Sequence, residues 1–529
     1  MYYVVGSGPA SIAAVAALVK RGIKVTIIDP GKTLEPERQA VLDRLGRQDA
    51  DQWSEADLQA VRGDHSETHG KIASKLNYGS DYPYTDLGEA LQEDREHSPF
   101  NYSMARGGLS TVWGAALAPY CSKDIAGWPI TVPDLEPHYR AVLDFVPSTG
   151  EVDELEKFLP TCTDKLDPLK PSRQFQKFFQ SMRRNKEQLE NTGIYFGSAR
   201  VAIAASGDSK RKACNYCGLC LYGCPYSLIY STATTLEDLL KGGMVTYVDG
   251  HVVEKLVQTG PTVAIHANRV SDGAEVVFEA ERVFVGAGVL PTAYIMLNSL
   301  GALNKPIEIV DSQYFIYPFF QFSKTAEVEK EKAYATSQVF LEIDDPAVSK
   351  NLIHMEVYGY SDFVRNAMFE TPLRFLLGNK WVAKQFFGRL FILQCFMHSD
   401  DSARLVAELV PGTNGAKPKL RVIPKSRFWS VWTSVKAGIK LALNAFRLGG
   451  ILAVPGLQFA GAGRSYHSGG TFPMSKNPDG FQTDKLGRIN GMDRVHIVDA
   501  SIFPSIPATT ITLSVMANSH RIATEASEL

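Results

Sequence analysis

The chain has 529 residues, 45% of them hydrophobic and 21% charged, with a formal net charge of −2. That is the make-up of a soluble protein too long for one core, and it gives no electrostatic case for a nucleic-acid partner. The opening MYYVVGSGPAS has no basic n-region or cleavage site and no run of about 18 apolar residues occurs, so neither a secretory leader nor a spanning helix is expected and the predicted location is cytoplasmic.

Residues 2 to 5, YYVV, form a short apolar run that turns through GSGPAS into the helix pattern IAAVAALVKRG. A β-branched strand, IKVTIID, follows and ends at Asp29. Strand, glycine turn, helix and strand with a terminal acid make the dinucleotide-binding βαβ unit. Gly6 allows the tight turn, Gly8 lets the backbone approach a pyrophosphate, and Ser11 stands where a third glycine is usual. Asp29 is placed to accept hydrogen bonds from ribose hydroxyls.

Residues 32 to 100 read as a polar, mostly helical, solvated insertion in which His65, His69 and His97 face solvent. MARGGLSTVWGAALAPY, residues 104 to 120, groups Gly107, Gly108 and Gly114 with small residues, as backbone packed against a flat object would require. The composition changes near 120 to 130.

CNYCGLCLYGCP, residues 214 to 225, has the spacing C-x2-C-x2-C-x3-C-P. Thiolates at that spacing hold iron-sulfur clusters, with Cys214, Cys217, Cys220 and Cys224 as candidate ligands of a 4Fe-4S or 3Fe-4S cluster. Zinc is the rival metal, although its structural sites usually put a longer loop between ligand pairs. Plain packing or a disulfide is the third reading. MVTYVDGHVVEKLVQ and TVAIHAN alternate like antiparallel strands. EAERVFVGAGVLPTAYIMLNS reads as a buried strand, a glycine turn at Gly286 and Gly288, and a helix, placed beside the first strand. His496 and His520 read as packed or hydrogen-bonded.

Two basic, acid-free segments with Trp and Leu begin at Arg374 and Lys425. They fit helices whose apolar sides face a core, and equally helices lying in a bilayer interface at the inner face of a membrane.

VVGSGPAS, GGLSTVWG, VFVGAGVLPTA and the C-terminal HSGGTFPM with TDKLGRINGMDRVHIVDASIFPSIPATTITLSVMA together resemble the glucose-methanol-choline family of flavin oxidoreductases. The resemblance implies an α/β fold: a doubly wound, Rossmann-type FAD-binding domain with an inserted α+β substrate domain of antiparallel sheet plus helices. On this reading residues 1–125, 201–305 and 461–529 build the FAD domain, and 126–200 and 306–460 the substrate domain. It implies FAD contacts at Gly6, Gly8, Ser11, Asp29, Gly107, Gly108, Ser110, Val253, Gly286, Asp499, Ala500 and Thr510. Val112 stands where some members attach FAD to a histidine, so the flavin is expected to be non-covalent. His467 matches the family's active-site histidine in H-x-x-G-T-x-x-M. The second active-site position, a histidine or asparagine elsewhere, falls on Thr510, whose hydroxyl holds a substrate oxygen but is no base near neutral pH.

The expected activity is oxidation of a CH-OH group of a sugar, glycoconjugate or long-chain alcohol, with His467 as base. A cluster at the cysteines would relay electrons to a carrier protein or quinone and make the enzyme a dehydrogenase. The alternatives are a redox-neutral flavoenzyme, isomerase or lyase, and a flavin-binding electron-transfer partner without its own substrate.

Overall fold

A computed structural model describes residues 1–63, 75–84, 93–94, 100–412, 416–425, 428–453 and 456–529. Within the polar insertion it describes helices Pro36–Arg47 and Glu55–Arg62. His65, His69 and His97 lie outside the described residues.

The short β-branched runs assemble a five-stranded sheet in the order Val495–Ile497, Arg282–Val285, Tyr2–Val5, Val25–Ile28, Val245–Val248. All four pairings are parallel. Parallel neighbours need long crossovers, so the sheet draws its strands from three distant parts of the chain. Arg282–Val285 does lie beside the first strand, as the repeated strand-and-turn pattern predicts. Val245–Val248 departs from the antiparallel expectation. The helix Thr232–Lys241 before it is a crossover, which delivers it parallel to Val25–Ile28, and only His251–Thr259, Thr262–Arg269 and Glu275–Ala280 form an antiparallel meander. The first helix, Pro9–Lys20, is buried along most of its length and packs on the last, Thr512–Ala526, where Ser519 Oγ donates to the Ala10 carbonyl at 2.6 Å.

A second, antiparallel sheet runs Gly450–Leu452, Tyr314–Gln321, Leu390–Met397, Ile353–Tyr358, Val339–Ile343, Ile194–Ser198, with Gln458–Phe459 also paired to Tyr314–Gln321. Its period of two separates its faces. Phe315, Phe319, Leu341, Met355, Val357 and Leu393 point into a core with Phe178 of helix Arg173–Arg184 and Leu441 of helix Phe428–Asn444. Phe178 and Phe391 stack there at 4.7 Å. The residues between them, Glu342, His354, Glu356, Gln394 and Phe396, take the other face.

A third sheet joins Ser468–Gly469 to Ile307–Asp311, and through it to Arg404–Val410 and Lys419–Lys425. This pairing brings the C-terminal histidine motif against the antiparallel sheet.

Candidate active site

The glycine turn after the first strand is locked from three sides. Gly6 has φ +93°, and a Cβ on it would lie 2.9 Å from the Gly286 carbonyl oxygen, so the two strand ends meet backbone to backbone. Ser11 does more than keep the helix close. Its hydroxyl lies within hydrogen-bond reach of the carbonyls of Val5 at 3.0 Å and Gly286 at 3.1 Å. The Gly107 N–H donates to Ser7 Oγ at 2.9 Å, Ser110 Oγ to the Gly107 carbonyl at 2.6 Å, and Gly108 packs on Gly8. Thr232, buried at the start of its helix, bonds the Ser7 carbonyl at 3.0 Å. Asp29 is buried and already accepts the hydroxyls of Ser7 at 2.8 Å and Tyr247 at 2.7 Å. Burial pushes its pKa up to about 6 against those bonds. Val253 sits buried at the bulge in His251–Thr259.

On the far side Asp499 accepts the Gly288 N–H at 2.9 Å and Thr292 Oγ1 at 2.6 Å, while the Ala500 carbonyl takes the Gly470 N–H at 3.0 Å. The helices Pro9–Lys20 and Thr512–Ala526 begin at Gly8 and Ile511 with no side-chain cap, and the buried hydroxyls of Thr509 and Thr510 have no partner. Uncapped N–H groups and orphaned hydroxyls suit the charge of a pyrophosphate, so the residues present fit a dinucleotide.

His467 is held by a carboxylate far away in sequence but adjacent in space. Asp311, fully buried at the end of Ile307–Asp311, accepts Ser465 Oγ at 2.6 Å, Ser468 Oγ at 2.7 Å and the Gly463 N–H at 2.8 Å. Ser465 Oγ in turn accepts the His467 N–H at 2.9 Å, and the His467 carbonyl accepts the Ser312 N–H at 2.9 Å. Tyr466, at φ +60°, makes the bend that presents the imidazole. The ring stacks on Phe396 at 4.9 Å, its Nδ1 is buried without a partner, and burial, with His354 nearby, pushes its pKa down to about 4. It is therefore neutral at ordinary pH.

Phe396 belongs to the polar face of the antiparallel sheet. Register places Glu342 opposite His354 and His354 opposite Phe396. His354 Nδ1 meets Glu342 Oε1 at 2.5 Å, both residues fully buried, while His354 Nε2 and Glu342 Oε2 have no partner. In the next row Glu356 accepts the Tyr358 hydroxyl. A Cβ on Gly114 would come 3.6 Å from that hydroxyl and 4.0 Å from Glu356 Oε2. One polar face thus reaches from His467 to the GGLSTVWG loop. Desolvation raises the carboxyls of Glu342 and Glu356 above their usual range, and Glu342 raises His354 against its own burial.

Residues 457–519, which carry His467, Asp499, Ala500 and Thr510, match the family model described as GMC oxidoreductase. Over this segment the chain is similar to the GMC oxidoreductases. The fold agrees along the whole length. Pyridoxine 4-oxidase from Mesorbium loti superposes with a TM-score of 0.60 at 13% identity, covering 100% of this chain and 99% of its own. A formate oxidase variant from Aspergillus oryzae RIB40 gives 0.61 at 12% identity, covering 100% and 98%. No curated protein sequence matches the chain.

The cysteine ladder does not behave as a cluster ligand set. All seven cysteines are free thiols, and among the described residues no three His, Cys, Asp or Glu side chains converge to hold a metal ion. The intervening residues explain why. Leu219, Leu221, Tyr222 and Tyr226 are buried, so the loop between Cys214 and Cys224 is a hydrophobic plug rather than a wrap around a cubane. Cys220 accepts the Ala335 N–H at 3.4 Å, and with Cys224 it lines a cavity of about 210 Å³ beside Ser110, Thr111 and Trp113 of the glycine loop. Desolvation, with the neighbouring thiols, raises the Cys217 thiol and pushes Cys224 up to about 12, so without a metal they stay protonated. The expectation that Cys214, Cys217, Cys220 and Cys224 hold an iron-sulfur cluster is thus not supported among the described residues, where they are packed thiols.

Sequence reasoning missed Asp311, Glu342, His354, Glu356 and Thr232. A titratable residue at two alternate positions of IHMEVY, with the lone glutamate of VFLEI, was the available signal for the sheet residues. Asp311 had none. His496, as expected, is packed, with Nδ1 2.9 Å from the Leu486 carbonyl and Nε2 3.0 Å from Arg282. His520 lies Nδ1 to Nδ1 at 2.8 Å from His138.

Proposed function

We propose that this chain is an FAD-dependent oxidoreductase that oxidises a CH-OH group, with His467 as the base. The observation that carries the reading is a neutral imidazole with a free ring nitrogen, clamped by Asp311, on the GMC segment and against a polar sheet face. The hydroxyl proton of the substrate passes to the imidazole as the carbinol C–H bond breaks with its electron pair and the C=O bond forms. FAD, when bound, supplies the acceptor for that hydride. Gly6, Gly8, Ser11, Gly107, Gly108, Ser110, Gly286, Asp499 and Ala500 would shape its cradle, with Thr510 giving a hydroxyl to flavin or substrate.

The polar face favours a polyhydroxylated substrate, a sugar or glycoconjugate, over a plain long-chain alcohol. Glu342 Oε2 and His354 Nε2 are buried without a partner beside Glu356 and Gln394, and an alkyl chain would leave those two atoms unpaired where a hydroxyl would not. The dehydrogenase expectation rested on a relay through the thiols, so the proposal is the broader oxidoreductase.

The test is anaerobic mixing of the flavin-loaded protein with a panel of sugars and alcohols, following flavin absorbance. Bleaching by a polyol, abolished in His467→Ala, is the expected result. Product formed with no acceptor present and no bleaching would select the redox-neutral reading instead. Oxygen uptake then separates oxidase from dehydrogenase.

A further inference from the structure

Helix Phe428–Asn444 is amphipathic the wrong way round for an aqueous surface. Its buried residues are Ser430, Thr433, Ser434, Ala437, Gly438, Leu441 and Asn444. A Cβ on Gly438 would collide with the Tyr317 hydroxyl, so the helix sits on the sheet through its small side. At 100° per residue, Phe428, Trp432, Ile439, Leu443 and Phe446 fall on one stripe along the opposite side. Phe428 is 77%, Leu443 74% and Phe446 80% exposed. The reading with apolar sides toward the core is overturned for this helix. Its polar inward groups are satisfied locally: Ser434 Oγ donates to the Val431 carbonyl at 2.7 Å and Asn444 Nδ2 to the Lys440 carbonyl at 3.0 Å.

The second basic segment adjoins it. Helices Arg374–Leu377 and Lys380–Phe387 expose Phe375 (78%) and Trp381 (70%). The two areas meet at the end of Tyr314–Gln321, where Phe320 packs on Phe386 at 5.1 Å and is paired with Ile451, and Phe322 packs on Phe446 at 5.0 Å. Among the described residues every exposed Phe or Trp lies on these segments or at Phe322. Seven rings of ~200 Å² each, about two-thirds exposed, put on the order of 900 Å² of aromatic surface in one region, against roughly 300–600 Å² for the largest patch on an ordinary monomer.

Charge selects the occupant. No Asp or Glu occurs between Glu370 and Asp400 or between Glu408 and Asp479, in a chain whose net charge is −2. Arg374, Lys380, Lys436 and Arg447 flank the rings. Lys384 and Lys440 are engaged by Glu329 and Asp345. Two copies of such a face would bring like charges together, whereas an anionic headgroup layer complements it. Among the described residues no helix is long and apolar enough to cross a membrane.

We propose that this face is a docking surface for an anionic lipid bilayer, with helix Phe428–Asn444 lying in the headgroup plane. The interaction does not depend on flavin or on turnover.

The test is co-sedimentation of the full chain with phosphatidylglycerol/phosphatidylcholine vesicles and with phosphatidylcholine alone. The wild type should pellet with the anionic vesicles, show a blue shift of tryptophan emission, and be released by high salt. Trp429→Ser/Trp432→Ser should lower the partition coefficient at least tenfold, and Lys436→Glu/Arg447→Glu should do so on anionic vesicles. Trp429, Trp432 and Arg447 are exposed and Lys436 is half-buried, all outside the site, so circular dichroism and flavin content should be unchanged. Failure to pellet with either vesicle overturns the proposal. So does a lipid-independent dimer that the tryptophan variant abolishes.

Discussion

Asp311→Asn tests whether the buried carboxylate positions the base. The carboxylate has three donors, the hydroxyls of Ser465 and Ser468 on Oδ1 and the Gly463 N–H on Oδ2. An asparagine that keeps both hydroxyls on its oxygen turns its NH₂ towards the Gly463 N–H, donor against donor. Losing one charge-assisted bond costs about 1.5–3 kcal/mol and the orphaned N–H about 1–3 kcal/mol more. Burial raises the Asp311 pKa, so removing the charge returns part of that. A net loss of about 2–3 kcal/mol falls on the loop Gly463–Ser468 rather than on a core, because all three donors belong to it. An ångström of drift at His467 lowers the rate of proton removal by roughly a hundredfold. The expected result is a flavin-reduction rate down about a hundredfold in anaerobic stopped flow, with flavin content preserved and global stability lower by no more than about 3 kcal/mol. A variant that binds flavin and reduces it within threefold of the wild-type rate would refute the positioning role.

With the free imidazole of His467 as the proposed base and burial holding its pKa down to about 4, below the ordinary 6.5, kcat/KM should stay level from neutral pH down to about 5 and fall only below that; an acid limb near 6.5 would contradict the proposal. Thr510→Val removes a buried hydroxyl with no protein partner, so urea unfolding should move by less than about 1 kcal/mol while kcat/KM drops at least tenfold; unchanged turnover would remove Thr510 from the site. Gly438→Ala should destabilise by about 1–3 kcal/mol in urea, although alanine favours helices by about 1 kcal/mol, because the methyl meets Tyr317.

The parallel sheet, the glycine turns and His467 were legible because each is local: a period, a turn residue or a contiguous motif. The cysteine ladder was equally local and found no support, since spacing fixes where thiols sit along the chain and not how the residues between them pack. The polar face was half legible. The alternating His and Glu of IHMEVY and the lone Glu of VFLEI are visible, but which face meets His467 depends on register with Leu390–Met397. Asp311 was illegible because its meaning lies wholly in serines more than 150 positions away. The outward turn of Phe428–Asn444 was illegible for another reason, that amphipathicity names two sides without saying which one a glycine lets approach the sheet.

The sheet built from three remote segments also constrains synthesis. The helix that follows Gly8 meets its main partner through a bond spanning 509 positions. Strand Arg282–Val285 therefore waits on the ribosome with one edge uncovered until Val495–Ile497 emerges, and native contacts at such separation form late. Chaperone dependence during translation, and insolubility of chains halted before residue 495, follow from that order of arrival.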